Sequence, residues 1–149
     1  MKKILPVLTV IAVMVAIWQL YPTEKRKLRR DIARLERAVE AENADEIVNY
    51  IHPSYQDSSG MTYDEMLRVI TEFFSQVDSI NIQMSGLKLS IDSLDKDHAT
   101  LASCSLGLRV LARYEGERVL VFGGIVHPAS VRAFFKKAGN NYILYHAIY

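Results

Sequence analysis

Near residue 78 the hydrophobic rhythm of the chain changes. Between residues 28 and 77 apolar side chains recur every three or four positions, and from residue 80 onward they alternate, so helices must come first and strands second. Leu28, Ile32, Leu35 and Val39 form one stripe, with Arg34, Glu36, Arg37 and Glu40 around the rest of the cylinder, which predicts an amphipathic helix from Leu28 to Glu42. Asn43 with Glu46 three residues later marks a new helix start. Ile47, Val48 and Ile51 give this second, short helix its apolar face, and Pro53 ends it. A loop, YQDSSG, follows. Thr62 and Glu65 then make a capping box for a third helix, whose broad face comprises Met66, Leu67, Val69, Ile70, Phe73, Phe74 and Val77.

In the second half, Ile80, Ile82 and Met84 alternate with polar residues, and Leu87, Leu89 and Ile91 resume in the opposite phase, which predicts a bulge or sharp bend at Gly86. Ala102, Cys104, Leu106, Leu108 and Val110 share one face of the next strand, which makes Cys104 a buried small apolar residue. Glu115, Gly116 and Glu117 read as a hairpin turn, and VLVFGGIV as a third strand bent at its two glycines. VRAFFKK continues or restarts that strand after His127 and Pro128, and Gly139 to Asn141 turn the chain into a closing strand, YILYHAIY. Three helices ahead of one long antiparallel sheet make an α+β fold.

Ahead of this pattern stands a run from Ile4 to Tyr21 without a charge. As a helix it reaches roughly 27 Å, close to the hydrocarbon thickness of a bilayer. Its exit lacks the small residues of a signal-peptidase site, and Trp18 and Tyr21 suit the interfacial belt of a retained helix. The expected organisation is an uncleaved anchor over residues 1–23, crossing the inner membrane once through residues 4–21, and one domain over residues 24–149. Lys25, Arg26, Lys27, Arg29 and Arg30 outnumber Lys2 and Lys3, and taken alone would keep the domain in the cytoplasm. Because these cations also belong to the first turns of a helix, and MKK is an ordinary export start, the reading favours the periplasmic side.

Charge and residue types exclude several classes of function. The formal net charge is +1, with both signs mixed along the chain, so there is no footprint for nucleic acid. A single cysteine rules out an internal disulfide and any multi-cysteine metal site. His52, His98, His127 and His146 are scattered without ligand spacing, so no metal is expected, and without a glycine-rich phosphate loop no cofactor is expected.

The order helix, short helix, Y-x-D loop ending in glycine, capped helix, then long bent strands resembles the nuclear-transport-factor-2-like superfamily, which includes ketosteroid isomerases and polyketide-cyclase-like proteins. The resemblance runs from Arg29 to Tyr149, with ERAVEAENADEIVNYIHPSYQDSSG and FFKKAGNNYILYHAIY as its local motifs. It implies a cystatin-like cone, in which the bent sheet wraps around the helices and leaves a pocket at its open end. It also implies a role for Asp57, which stands where the isomerases carry their proton-shuttling base. Such an enzyme needs partner acids too, chiefly a tyrosine from the first helix and a protonated aspartate from a strand, and Leu28 to Glu42 contains no tyrosine.

Asp57 therefore has two readings: a general base assisted by Tyr55 or His146, or an Asx-turn residue whose carboxylate accepts from nearby backbone amides. Tyr55, Asp57, Cys104 and His146 are the candidate ligand-binding residues. The favoured function is a membrane-anchored, non-catalytic envelope domain that binds a small apolar ligand or a protein partner in its cone. The alternatives are an isomerase, dehydratase or cyclase type of enzyme, and a homodimer assembled through the sheet.

Overall fold

The structure, a computed structural model, describes residues 23–94 and 100–149; the anchor expected at residues 4–21 lies outside them. Among the described residues no helix is long and apolar enough to cross a membrane.

Helix α1 spans Glu24–Glu40, starting one turn before the predicted Leu28 because the Thr23 hydroxyl caps it. Helix α2, Ala44–Ile47, begins where Asn43 was expected to cap, the Glu46 amide donating to Asn43 Oδ1 at 3.0 Å. A 3-10 turn, Val48–Tyr50, leads into the first departure from the sequence reading. Ile51–Asp57 is not the end of a helix and a loop but a strand, β1, running parallel to the last strand of the chain. Its pairs Gln56 with His146 and Asp57 with Ala147 join segments 90 residues apart, which no local periodicity encodes. Pro53 is tolerated because β1 lies at the edge of the sheet.

Helix α3, Tyr63–Gln76, has the capping box its sequence promises, with the Thr62 amide donating to the Glu65 carboxylate at 2.9 Å. The remaining strands are β2 (Asp78–Leu94), β3 (Thr100–Tyr114), β4 (Glu117–Phe122), β5 (Ala129–Ala138) and β6 (Asn141–Ile148). As the phase slip predicts, the β2–β3 register shifts between Ser85 and Lys88, where Gly86 has φ +62°. The expected β4 bend at Gly123 and Gly124 is instead an exit from the sheet: β4 stops at Phe122, and β5 starts afresh at Ala129.

Neighbouring strands run β1-β6-β5-β3-β2, and β4 pairs with β3. β4 and β5 share one edge of β3, along Val110–Tyr114 and Leu101–Leu108 respectively. Leu28 and Ile32 of α1 pack on Ala102, Cys104, Ala133, Phe135 and Tyr142 on the inner face. A second cluster joins Ala38, Ile47, Ile51, Tyr55, Met66 and Ala147, tying all three helices to the β1–β6 side. The result is the expected α+β arrangement of helices against one curved sheet.

Candidate functional site

Asp57 ends β1 and starts the turn into α3. Its side chain is 5% exposed. Oδ1 accepts from the Ser59 amide at 2.9 Å, the Ser59 hydroxyl at 2.7 Å and the Met61 amide at 2.9 Å, and Oδ2 accepts from the Tyr149 hydroxyl at 2.6 Å. Three of these donors converge on Oδ1, and the Tyr149 hydroxyl takes one of the two lone pairs of Oδ2. Burial alone would raise the Asp57 pKa, but the donors from Tyr149, Ser59 and Met61 outweigh it and hold the carboxyl below its ordinary value. This is the Asx-turn chemistry, extended by a hydroxyl from the far end of the fold.

Tyr55 lies two residues earlier on the same inward face and is buried in the second cluster. Burial pushes its phenol pKa up, and the neighbouring Asp57 carboxylate adds to the effect. Tyr55 and Asp57 are thus brought together. His146 is not brought to them: it is the pairing partner of Gln56, contacts the Gln56 carbonyl through Nδ1 and tilts against Phe134 at 5.5 Å, on the outer face of the sheet. Cys104 sits in the first cluster under α1, where burial raises its thiol pKa to about 11. Among the described residues no cluster of three or more His, Cys, Asp or Glu side chains could hold a metal.

Sequence reasoning missed a second polar cluster. Asp31, 2% exposed on the buried face of α1, accepts from the Tyr142 amide at 2.9 Å through Oδ2 and from Arg30 Nε at 3.1 Å through Oδ1. Two turns earlier, Glu24 accepts from the Tyr142 hydroxyl at 2.7 Å, Lys137 at 2.9 Å and Lys27 at 2.9 Å. Those hydrogen bonds, the tyrosine's first, hold the Glu24 pKa at about 2. An acid on the apolar stripe was the one available signal: Asp31 directly precedes Ile32 and lies three residues after Leu28. Every partner in this cluster is a donor from the fold, so its work is to fasten α1 to the β5–β6 hairpin.

The fold is matched by solved structures at very low sequence identity. A candidate scytalone dehydratase from Novosphingobium aromaticivorans superposes with a TM-score of 0.67 at 10% identity, over 84% of this chain and 81% of that one. A candidate dehydratase from Streptomyces avermitilis, described as a member of the NTF2-like family, gives 0.58 at 12% identity, over 82% and 93%. This is a nuclear-transport-factor-2-like fold. The same fold forms part of the helical cell shape determining protein Pgp2 of Campylobacter jejuni, with a TM-score of 0.59 at 11% identity over 78% of this chain and 37% of that one. No protein-family model matches the sequence, and no curated protein matches it. The nuclear-transport-factor-2-like cone is therefore carried by the pattern of elements and not by shared residues.

Proposed function

We propose that residues 24–149 form a binding domain that takes a small apolar ligand, or an apolar segment of an envelope protein, into its cone without using Asp57 as a base. Residues 4–21 tether it to the inner membrane as a single span, with the domain on the periplasmic side. The observation that carries the reading is the way the chain's own donors engage Asp57. A general base needs a pKa near the working pH, whereas Asp57 accepts four hydrogen bonds from its own chain, and these hold its carboxyl below the ordinary aspartate value. Leu35, Val39, Ile70 and Phe74, half-buried against the second cluster, supply apolar surface for a ligand.

The test is a thermal-shift screen of the full chain against neutral apolar compounds the size of naphthalenes and steroids. Binders are expected to raise the melting temperature of wild type and of Asp57→Asn alike, and to lose their effect in Ile70→Arg. A second reading, an isomerase, dehydratase or cyclase type of enzyme with Asp57 as its base, is favoured by the neighbours named as candidate dehydratases. A compound that wild type converts and Asp57→Asn does not would establish that reading in place of the first.

A further inference from the structure

The face of the sheet turned away from the helices carries a hollow of about 410 Å³, within the usual range for small-molecule sites. Two rows of cross-strand neighbours form it. Lys88 of β2, Ser105 of β3 and Arg132 of β5 stand in register in one row, and Ser90, Ser103 and Phe134 in the next, with His146 beyond Phe134. The intervening residues Leu89, Cys104 and Ala133 point inward into the first core cluster, so the backbone beneath both rows is held by packing.

Among the described residues, the cations of the hollow differ from the other basic side chains near it in having no acidic partner. Lys27 and Lys137 are paired with Glu24, Arg30 and Arg34 with Asp31, and Arg109 donates to the Gly124 and Ile125 carbonyls. Among the described residues neither Lys88 nor Arg132 meets a carboxylate. The acid at the rim, Asp92, accepts from the Ser90 hydroxyl at 2.9 Å. Two strand spacings put the Lys88 and Arg132 backbones roughly 10 Å apart, near enough for both side chains to reach one anion above Ser105. Phe134, already edged by His146 and by Tyr145 with centroids 6.5 Å apart, offers a ring face beside that point.

We propose that this hollow is a binding site for an aromatic carboxylate: Arg132 takes the carboxylate with its planar fork, Lys88 and the Ser105 hydroxyl complete the anion contacts, and the ligand ring lies on Phe134. The site is on the opposite side of the sheet from the cone and does not depend on the function proposed for it.

Isothermal titration calorimetry of the full chain in a non-ionic detergent tests it, with benzoate as the probe. Benzoate is expected to bind saturably in the millimolar range, and benzyl alcohol, which keeps the ring and loses the charge, at least tenfold more weakly. Arg132→Gln and Lys88→Gln, on different strands, should each weaken benzoate about tenfold with an unchanged circular dichroism spectrum, while Arg68→Gln on α3 leaves it unaltered. Phe134→Ala should weaken benzoate and leave the weaker binding of acetate unchanged. Absence of saturable binding, equal binding of benzyl alcohol, or indifference to both charge removals would overturn the proposal. Self-association that excludes benzoate, seen by sedimentation, would overturn it in favour of a second copy covering this face.

Discussion

The Tyr149 hydroxyl donates to Asp57 Oδ2 at 2.6 Å, joining the residue after β6 to the turn after β1. Phe122 of β4 meets the Tyr149 ring edge-on at 5.9 Å, so one side chain ties three segments together at this end of the sheet. Tyr149→Phe keeps the ring contact and removes the donor. Because Tyr149 is about half exposed, the expected loss is modest, about 1 kcal/mol in urea unfolding at pH 7. The Asp57 carboxyl, followed by NMR, should titrate higher in the variant. An unchanged titration would mean that Tyr149 does not hold Asp57 in solution.

Acid should unfold the protein through these same carboxylates. Glu24, held near 2 against its usual 4.5, and Asp57, also depressed, both bind protons less readily in the folded state. Groups with depressed folded pKa contribute stability that is fully present above the unfolded value and is lost as pH falls through the folded one. Stability is therefore expected to decline from about pH 4.5 towards pH 2. Glu24→Gln should make that decline shallower in denaturation curves recorded at successive pH values, and an acid limb as steep as in wild type would exclude Glu24 as a contributor.

Asp31 is the buried acid on which the α1 contact with β6 turns. Asp31→Ala leaves the Tyr142 amide without an acceptor inside the fold and strips Arg30 of its partner, at an expected cost of about 3 kcal/mol. Asp31→Asn retains an acceptor oxygen and should lose about half as much. Denaturant midpoints of the two variants, compared at equal slope, check the order.

Two glycines with nearly the same backbone angle should respond differently to a methyl group. At Gly116, φ +85°, an added Cβ meets open space, so Gly116→Ala costs only the left-handed conformation, about 1 kcal/mol. At Gly123, φ +86°, the Cβ would stand 2.6 Å from the Leu108 carbonyl oxygen, and the backbone of β3 would have to move. Gly123→Ala is expected to cost at least twice as much, read as the difference between the two melting temperatures.

Cys104 should be chemically silent while the protein is folded. Its thiol, pushed up to about 11 by burial, carries almost no thiolate at pH 8. Reaction with an aromatic disulfide reagent is expected to be at least a hundredfold slower in buffer than in denaturant. Rapid labelling of the folded chain would place Cys104 at an accessible surface.

Where structure follows from near neighbours, the sequence was legible. The Asn43 and Thr62 caps, the slip at Gly86 and the turn at Gly116 each depend on residues within a few positions, and each forms as its local chemistry requires. The strand Ile51–Asp57 was not legible, because its partner is β6 and Pro53 imitates a helix stop. Gly123 and Gly124 were misplaced for a related reason: they sit in an alternating pattern, but Arg109 of another strand holds the loop they open.

The same division runs through the candidate residues. The carboxylate of Asp57 and its turn partners Ser59 and Met61 were set by a few adjacent positions, but the fourth donor, Tyr149, arrives only because β6 lies beside β1. Sequence by itself determined that the chain after residue 78 is built of strands, that it turns after Asp57 and that Cys104 is interior, since periodicity and short-range hydrogen bonding need only neighbouring residues. Tertiary structure alone decided that His146 faces away from Asp57, that Asp31 and Glu24 fasten α1 to β5 and β6, and that Lys88 and Arg132 share a hollow. Those relationships depend on strand order and register, which arise when distant segments bury one another, and no short window of sequence carries them.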